Sequence, residues 1–411
     1  MTEQIKPRGI DWIGDIPESW DVLRIKDIGT YRNGLTYAPE DIAEADNGTL
    51  VLRSSNIQNG KISYDDNVYV KCSVSPELMV KKGDIIICSR NGSRELIGKN
   101  AIIENSGVAC SFGAFMMVYR CSCPRYMYYI LNSEVFSYYL GTFLTSTINQ
   151  LTGNNFGNMK IVFCKDRNEQ RKIVDFLDKE CAQIDSIAAD LEKQIELLQQ
   201  YKKSLITETV TKGLDESVPM KDSGVEWIGK IPEHWDAKRM KYFLSVSSGD
   251  AITNEQLEDG EYPVYGGGKQ MGYFNRTNVD KNKILIGRVG ANCGCVTITD
   301  VPSWATDNAL VVQTDCHFKY IYYLLISADL NRLNEANAQP LITGAKVGNC
   351  VISFTENYAE QEEIARYLDE HCEKIENIIV GKQEQLSTIQ QHKKSLIYEY
   401  VTGKKRVKEV Q

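Results

Sequence analysis

The same order of segments occurs twice in the sequence, and this duplication constrains the fold more than any other feature. Residues 11–28 and 226–243 are identical at ten of 18 positions, with an offset of 215 residues. Residues 169–206 and 360–397 match at 16 of 38 positions, with an offset of 191 residues. Each copy therefore runs from a tryptophan-rich segment through a variable block to a helical segment. We expect two similar units with different inserts.

The helical segment of each copy has the spacing of a coiled coil. Between residues 169 and 212, apolar side chains recur every seven positions, at Leu177, Ile184, Leu191, Leu198 and Leu205, as in a long paired helix. About 44 residues at ~1.5 Å per residue make a rod of roughly 65 Å. The second copy keeps this register except at Lys382, beside Gly381, where we expect a weaker or kinked stretch. The two rods are predicted to pack antiparallel; the alternative is that each helix serves a homo-oligomer.

The variable blocks have the pattern of mixed α/β domains. Strands are predicted at 49–53, 67–70, 84–88 and 113–119, between turn signals, and an amphipathic helix is predicted over 124–140. The fold class is therefore α+β: two similar mixed α/β domains separated by two long antiparallel helices, with an internal pseudo-two-fold duplication. The predicted order is a first domain at 1–168, a central helical spacer at 169–214, a second domain at 215–359 and a C-terminal helical spacer at 360–411.

Composition excludes several classes of protein. Hydrophobic residues are 42% and charged residues 25% of the chain, which is ordinary for a globular protein. No apolar run approaches the ~20 residues of a membrane span, and residues 1–9 lack the apolar core of a signal peptide. We therefore expect a cytoplasmic protein. The 12 cysteines form no C-x-x-C pair and only 4 histidines accompany them, so we expect reduced thiols rather than disulfides or a zinc site.

Recognisable enzyme motifs are also missing from the sequence. It contains no P-loop, no dinucleotide-binding glycine fingerprint and no H-E-x-x-H, and no Asn/Asp-Pro-Pro-Tyr/Phe signature of amino-group DNA methyltransferases. We therefore expect a non-catalytic chain without a metal or cofactor of its own. The net charge of −8 predicts weak non-specific attraction to nucleic acid.

The repeated motifs resemble those of the specificity subunits of type I restriction–modification systems, along essentially the whole chain. The motif W-I-G-x-I-P-x-x-W occurs at 12–20 and 227–235. Each long helix starts with Glu-Gln, at 169–170 and 360–361, and ends with Lys-Lys-Ser-Leu-Ile. The order of these duplicated motifs carries the resemblance.

The resemblance implies two target-recognition domains that each read half of a bipartite double-stranded DNA sequence. It also implies that the helices set the distance between the halves and dock methyltransferase (modification) subunits. S-adenosylmethionine, ATP and Mg are then expected on the methyltransferase and motor-nuclease (restriction) subunits, and no cofactor on this chain. A prokaryotic cytoplasmic location follows from the same resemblance. The alternative function is a coiled-coil protein scaffold that does not read DNA.

Base readout requires polar side chains in the loops of the variable blocks. In the first block the candidates are Arg32, Asn33, Thr36, Tyr37, Arg53, Ser54, Ser55, Asn56, Ser89, Arg90, Asn91, Arg94, Asn149, Gln150, Asn154 and Asn155. In the second block they are Ser247, Ser248, Thr253, Tyr265, Lys269, Gln270, Tyr273, Arg288, Asn292, Gln339 and Lys346.

The helix ends are the candidates for docking a partner protein. They carry Tyr201, Leu205, Ile206, Leu396 and Ile397 beside lysine pairs, which is an amphipathic pattern. The alternative is that each of these segments is an ordinary solvated helix end.

Overall fold

The chain forms two compact units, each built from both copies of the helical segment. The computed structural model describes residues 5–6, 10, 12–104, 109–144, 149–253, 257, 260–333 and 341–407. The first unit comprises Met1–Asp190 and Gln385–Gln411, and the second unit comprises Leu191–Glu384. This division cuts each long helix in its middle. The four-segment domain order inferred from the sequence follows the repeats instead, and it stays a prediction.

The first unit contains short strands, three short helices and parts of two long helices. Its strands are β1 (Ile5–Lys6), β2 (Ile16–Pro17), β3 (Trp20–Arg24), β4 (Gly29–Asn33), β5 (Ile42–Ala43), β6 (Thr49–Leu52), β7 (Ile57–Gln58), β8 (Lys61–Ile62), β9 (Tyr69–Val70), β10 (Ile85–Cys88), β11 (Asn100–Ile102), β12 (Cys110–Phe112), β13 (Met116–Cys121) and β14 (Lys160–Cys164). Its helices are α1 (Pro124–Leu131), α2 (Glu134–Phe143), α3 (Gly153–Asn158), the first part of α4 (Arg167–Lys212) and the last part of α7 (Tyr358–Val401).

Two four-stranded sheets form the body of the first unit. One has the order β11-β10-β13-β4 and is antiparallel throughout; the other has the order β12-β6-β9-β5, with β12 parallel to β6. β3 pairs with β14, which leads directly into α4. Each of the four predicted strands overlaps an observed strand, because those runs are the buried parts of these sheets.

The helix predicted over residues 124–140 is two helices, with a break at Asn132 and Ser133. The Asn132 amide donates to the carbonyl oxygen of Tyr128 at 2.8 Å and to the side chain of Asn100 at 2.7 Å. The Ser133 hydroxyl donates to the Ile130 carbonyl oxygen at 2.7 Å. Short polar side chains that bond to the backbone compete with helical hydrogen bonds, so α1 ends here and α2 starts as a separate helix.

The second unit repeats the main sheet of the first. Its strands are β15 (Met220–Asp222), β16 (Lys230–Pro232), β17 (Asp236–Arg239), β18 (Leu244–Ser248), β19 (Tyr262–Gly266), β20 (Lys269–Phe274), β21 (Ile284–Gly287), β22 (Val296–Ile298), β23 (Trp304–Ala305), β24 (Ala309–Thr314) and β25 (Val351–Phe354). Its helices are the last part of α4, α5 (Phe318–Ser327), α6 (Gly344–Asn349) and the first part of α7 (Tyr358–Val401). The order β18-β24-β21-β22 matches β4-β13-β10-β11 strand for strand. The prediction of two similar domains is thereby confirmed.

The long helices α4 and α7 pack antiparallel in both units. In the first unit the Lys393 amine donates to Asp185 at 2.5 Å, and the rings of Phe176 and Tyr400 lie 4.5 Å apart. In the second unit Lys202 donates to Glu376 at 2.7 Å. Residue numbers rise along α4 as they fall along α7, so the predicted antiparallel pairing is confirmed.

The predicted weak point of the second helix lies within a continuous helix. α7 runs without interruption past Gly381 and Lys382, and the Lys382 amine donates to the side chain of Gln194. The lysine therefore replaces an apolar seam contact with a hydrogen bond to α4. Among the described residues, no helix combines the length and apolar content of a membrane span.

The repeated motifs form the joint between the strands and the long helices. In the first unit the Trp20 indole donates to the carboxylate of Glu169 at 3.2 Å, and Gln170 donates to the Cys164 carbonyl oxygen. In the second unit Trp235 donates to Glu360 at 3.0 Å in the same way. The tryptophan and the Glu-Gln pair recur together because the glutamate satisfies a buried indole N–H.

Candidate nucleic-acid interface

The candidate residues of the first unit lie where β4 and β10 end. These strands flank β13 and both run antiparallel to it, and their last residues, Asn33 and Cys88, pair with neighbouring residues of β13. Because β4 and β10 point in the same direction, the loops that follow them leave the sheet at the same edge. Segments 34–37 and 89–94 are thereby brought to one edge of the sheet.

A third polar segment, residues 149–155, joins this edge through backbone contacts. Gln150 forms an antiparallel bridge with Arg90, and the Asn149 amide donates to the Gly92 carbonyl oxygen at 3.2 Å. The loop after β10 and the segment before α3, far apart in the sequence, therefore form one surface.

Arg90 is the cation of this surface that is free to contact a ligand. Its guanidinium lies 5.1 Å from the ring centre of Phe115, which is 58% exposed. Among the described residues no carboxylate pairs with Arg90. A guanidinium supported by an aromatic ring and left without a counter-ion can donate to a base edge or a phosphate.

The other candidate arginines of the first unit have partners within the protein. Arg32 forms an ion pair with Glu77, and Arg53 pairs with Asp66 at 2.9 Å. Arg94 is exposed, and its guanidinium donates to a carbonyl oxygen of α2 at 3.5 Å. Contact with DNA would require these ion pairs to open or to rearrange.

Two predicted contact residues are structural, and we exclude them from the surface. Asn56 is 1% exposed, and its amide donates to the carbonyl oxygens of Ser63 and Asp66 at 3.1 and 3.0 Å. Ser89 is also buried, and its hydroxyl donates to the Phe115 carbonyl oxygen at 3.0 Å. Both side chains use their polar atoms to hold the loops in place, so no polar edge remains for a base.

The remaining candidates of the first unit differ in exposure. Exposed residues are Arg32, Asn33, Thr36, Gln150 and Asn154, and half-buried residues are Tyr37, Arg53, Ser54, Ser55, Asn91, Asn149 and Asn155. Asn91 donates to the Ser54 hydroxyl at 3.1 Å, which ties the loop after β6 to the same surface.

Short helix α3 fixes the position of Asn154 and Asn155. The Thr152 hydroxyl oxygen accepts a hydrogen bond from the Asn155 backbone N–H at 3.2 Å and so caps the helix. A side chain at Gly157 would place its Cβ 2.5 Å from the Tyr31 hydroxyl. This close approach explains the second glycine of the Thr-Gly-x3-Gly-Asn pattern in the first copy.

The second unit builds the same edge from the ends of β18 and β21. The Arg288 guanidinium, which follows β21, donates to the Ser248 hydroxyl and to the Asp307 carbonyl oxygen, both at 3.3 Å. Among the described residues, Arg288 also has no carboxylate partner, and its Nε–H is buried without an acceptor. This arginine occupies the position of Ser89 in the first unit.

A hairpin made by β19 and β20 extends this second surface. The Asn308 carbonyl oxygen accepts from the backbone N–H groups of Arg288 at 3.0 Å and Gly267 at 3.1 Å, which brings the hairpin turn beside the arginine. Gly267 and Gly268 adopt φ of +59° and +84°, which favours glycine. The turn presents Lys269, and β20 presents Gln270 and Tyr273, all exposed.

The other candidates of the second unit have less uniform positions. Ser247 and Thr253 are exposed, and Asn292 is half-buried beside the Gly268 turn. Partial burial raises the pKa of the Tyr265 phenol. The Lys346 amine donates to a backbone carbonyl oxygen at 3.1 Å. Gln339 lies outside the described residues.

Sequence reasoning missed three residues of these surfaces. Phe115 was included in the predicted strand 113–119, but β13 begins only at Met116 and leaves Phe115 in the turn. Asp307 and Asn308 occupy the corresponding turn before β24, where both are exposed. An alignment of the strands of the two copies could have identified these residues, because it places both turns beside an arginine.

Three of the five predicted partner-docking residues are buried in the cores of their own units. Ile206 contributes to the core of the second unit, and Leu396 and Ile397 contribute to the core of the first unit. They pack there because their helix ends lie against the domain body. Leu205 is half-buried and packs against the core of the second unit, whereas Tyr201 is exposed and remains available to a partner.

Two exposed isoleucines on the helices were missed by the sequence prediction. Ile187 is 50% exposed on α4 in the first unit, and Ile378 is 49% exposed on α7 in the second unit. They are equivalent in the repeat, at an offset of 191 residues. Identity between copies at a position outside the buried heptad seam is the signal that could have found them.

Comparison with known proteins places this arrangement among restriction–modification proteins. A family model described as the type I restriction modification DNA specificity domain matches residues 17–197 and 232–388. A specificity subunit assigned to the type I restriction enzyme MjaX of Methanocaldococcus jannaschii is 27% identical, over 96% of both chains. The specificity subunit of the type I restriction enzyme EcoKI of Escherichia coli K12 is 28% identical, over 56% of this chain and 48% of its own.

A solved structure has the same fold along most of the chain. It belongs to work on the complex assembly and conformational transition of a type I restriction–modification system. The alignment covers 94% of this chain and 99% of the solved chain, with a TM-score of 0.69 at 13% sequence identity.

Proposed function

Because the chain belongs to the family defined by the type I restriction modification DNA specificity domain, we propose that its two sheet edges each read one half of a bipartite DNA sequence. The chain is a non-catalytic specificity subunit that confers DNA sequence recognition within a restriction–modification complex. One observation carries the proposal: the same sheet edge is built twice, and each edge presents an arginine without a carboxylate partner among the described residues.

The side chains at the first edge are suited to contacts with bases. An arginine donates two hydrogen bonds to guanine, and asparagine or glutamine pairs with adenine in the major groove. Arg90 and Gln150 lie side by side on paired backbone segments, and Asn149 is adjacent. We assign base contact to these three residues and a stacking or wedge role to Phe115.

The second edge uses a different set of residues on the same frame. Arg288 takes the guanine-reading role, and the hairpin turn with Lys269 and Gln270 supplies contacts to phosphate and bases. The two units thus present different side chains from equivalent strands, which suits the reading of two different half-sequences. Because the net charge of the chain is negative, we expect its partner subunits to provide part of the contacts with the DNA phosphates.

Methyltransferase and motor-nuclease subunits are the proposed protein partners. Ile187 in the first unit and Ile378 in the second unit occupy equivalent exposed positions on the long helices, and Leu197 and Tyr201 add exposed apolar area in the second unit. Exposed apolar side chains on a paired helix favour contact with another protein. Two equivalent docking positions suit two copies of one partner.

Methylome sequencing of the host, with and without this gene, tests the DNA-reading function. We expect one adenine-methylated motif, split by a non-specific gap, to disappear when the gene is deleted. Persistence of every methylated motif would show that the chain does not direct modification. Salt titration of DNA binding by the chain with its methyltransferase then separates reader from scaffold, because phosphate contacts impose a steep dependence of affinity on salt.

Substitution of the exposed isoleucines tests the docking surface. Ile187→Asp and Ile378→Asp should each weaken co-purification with the methyltransferase, because a charge would be buried at the contact. Ile42→Asp is the control, since Ile42 is equally exposed but lies on β5, away from the helices. Equal co-purification of all three variants would exclude this surface.

A further inference from the structure

The two copies of the frame differ at the first residue of the long helix. In the first unit that residue is Arg167, whose guanidinium donates to the Ser122 carbonyl oxygen at 2.7 Å and also to the Ser122 hydroxyl. Arg167 therefore bridges the start of α4 and the loop between β13 and α1. The guanidinium thus ties these two segments together at the surface.

In the second unit the corresponding space is open. α7 begins at Tyr358, which is 54% exposed. Beside it lies a cleft of about 600 Å³ whose wall includes Tyr242, and the stacked rings of Phe243 and Phe354, 4.1 Å apart, contribute to its lining. The cleft is thus lined by aromatic side chains where the first unit has an arginine.

The loop between β24 and α5 adds a carboxylate to this cleft. Two residues separate β13 from α1, whereas three residues separate β24 from α5. Asp315 lies in this longer loop, is exposed and lines the cleft beside Cys316. Among the described residues, Asp315 has no cationic partner. Glu356 also lines the cleft and neutralises Lys238 through an ion pair at 2.5 Å.

We propose that this cleft binds an arginine side chain presented by a partner polypeptide. The aromatic rings supply faces that attract a cation, and Asp315 supplies a carboxylate that can accept two hydrogen bonds from a guanidinium. Amines of the chain already lie over two of these rings, Lys238 at 5.8 Å from Phe354 and Lys241 at 5.7 Å from Tyr242. An arginine from outside would supply the contact that Arg167 makes in the first unit.

The chemistry favours a protein over a nucleic acid as the occupant. The carboxylate of Asp315, which has no cationic partner among the described residues, would repel a phosphate, and a guanidinium is the group that complements an acid framed by aromatic rings. The proposal concerns a surface apart from the sheet edges assigned to DNA, and it holds whether or not those edges read DNA.

Titration of the full-length chain with a short arginine peptide, acetyl-Ala-Arg-Ala-amide, tests the proposal. ¹⁹F NMR of the chain containing 3-fluorotyrosine reports on Tyr242 and Tyr358, whose signals are assigned by replacing each with phenylalanine. We expect saturable shifts of these two signals. The isosteric citrulline peptide should bind at least about tenfold more weakly, a difference of about 1.4 kcal/mol. Equal affinity for the citrulline or the lysine peptide would overturn the assignment to a guanidinium.

Two variants that imitate the first unit or remove the carboxylate complete the test. Tyr358→Arg gives α7 the arginine that stands at the equivalent position of α4 in the first unit. Asp315→Asn removes the carboxylate from the cleft. Both substitutions should abolish the saturable shift of the Tyr242 signal. Tyr64→Arg is the control, because it adds the same charge to an exposed tyrosine of the first unit and should leave binding unchanged. Circular dichroism confirms that each variant folds. Binding by folded Tyr358→Arg would refute the site.

Discussion

Arg90 and Arg32 show how the neighbours of a side chain decide its availability. Both are exposed arginines of the first block. Arg32 is neutralised by Glu77, whereas Arg90 is supported by the ring of Phe115 and has no carboxylate partner among the described residues. A free guanidinium can be transferred to a base without first breaking an ion pair, so the two residues should differ in their contribution to DNA recognition.

Alanine substitution of Arg90 should weaken binding to the cognate DNA by about 1–3 kcal/mol, as expected for loss of a bidentate contact to guanine. Discrimination should relax in one half-sequence only. The measurement is fluorescence anisotropy of the chain bound to its methyltransferase, with cognate and single-base-changed duplexes.

Arg32→Ala is the matched control for Arg90→Ala, and it should cost less because Arg32 is held by Glu77. If Arg90→Ala weakened cognate and unrelated DNA equally, Arg90 would contact phosphate and not a base.

At the scale of elements, the parallel direction of β4 and β10 is the feature that makes a surface. Both strands flank β13, so their following loops meet at one edge. The polar composition of these loops was evident in the sequence. Their convergence was not, because it depends on strand order, and strand order is set by pairing between residues far apart in the chain.

Two glycines should respond in opposite ways to replacement by alanine. Gly381→Ala should stabilise the second unit by about 0.5–1 kcal/mol, because Gly381 lies inside α7, a Cβ added there would meet open space, and glycine is entropically costly in a helix. Gly157→Ala should destabilise the first unit, because the new Cβ would lie 2.5 Å from the Tyr31 hydroxyl. Urea denaturation measures both changes.

Hydrogen exchange assigns each of these changes to its own unit. Faster exchange in α3 after Gly157→Ala is expected, with no change there after Gly381→Ala. A loss of stability in Gly381→Ala would mean that the glycine accommodates a bend of α7.

At the scale of the whole molecule, the duplication predicts that one half of the specificity can change without the other. The repeated segments attach both variable blocks to the long helices in the same way, through the hydrogen bonds of Trp20 with Glu169 and of Trp235 with Glu360. The blocks themselves share a sheet order but few loop residues. We therefore expect that a variable block can be exchanged while the repeated segments stay the same.

Exchange of residues 29–165 for the corresponding block of a relative should change one half of the methylated motif and leave the other half intact. Methylome sequencing of a host that carries the exchanged gene provides the measurement. The reciprocal exchange of residues 244–350 is the control and should alter the opposite half. A change in both halves after either exchange would contradict independent reading by the two blocks.

The sequence by itself determined the duplication, the antiparallel helices and the similarity of the two α/β blocks, because repeats and heptads are local or periodic signals. It also located the polar loops from which the contact residues come. Only the tertiary structure decided which of their side chains are free. The Asn56 amide donates to the carbonyl oxygens of Ser63 and Asp66, and Ile206 is buried in a core. Arg90, by contrast, has no carboxylate partner in the part of the chain that the structure describes. Burial and pairing depend on partners that long-range packing supplies, and no local pattern encodes them.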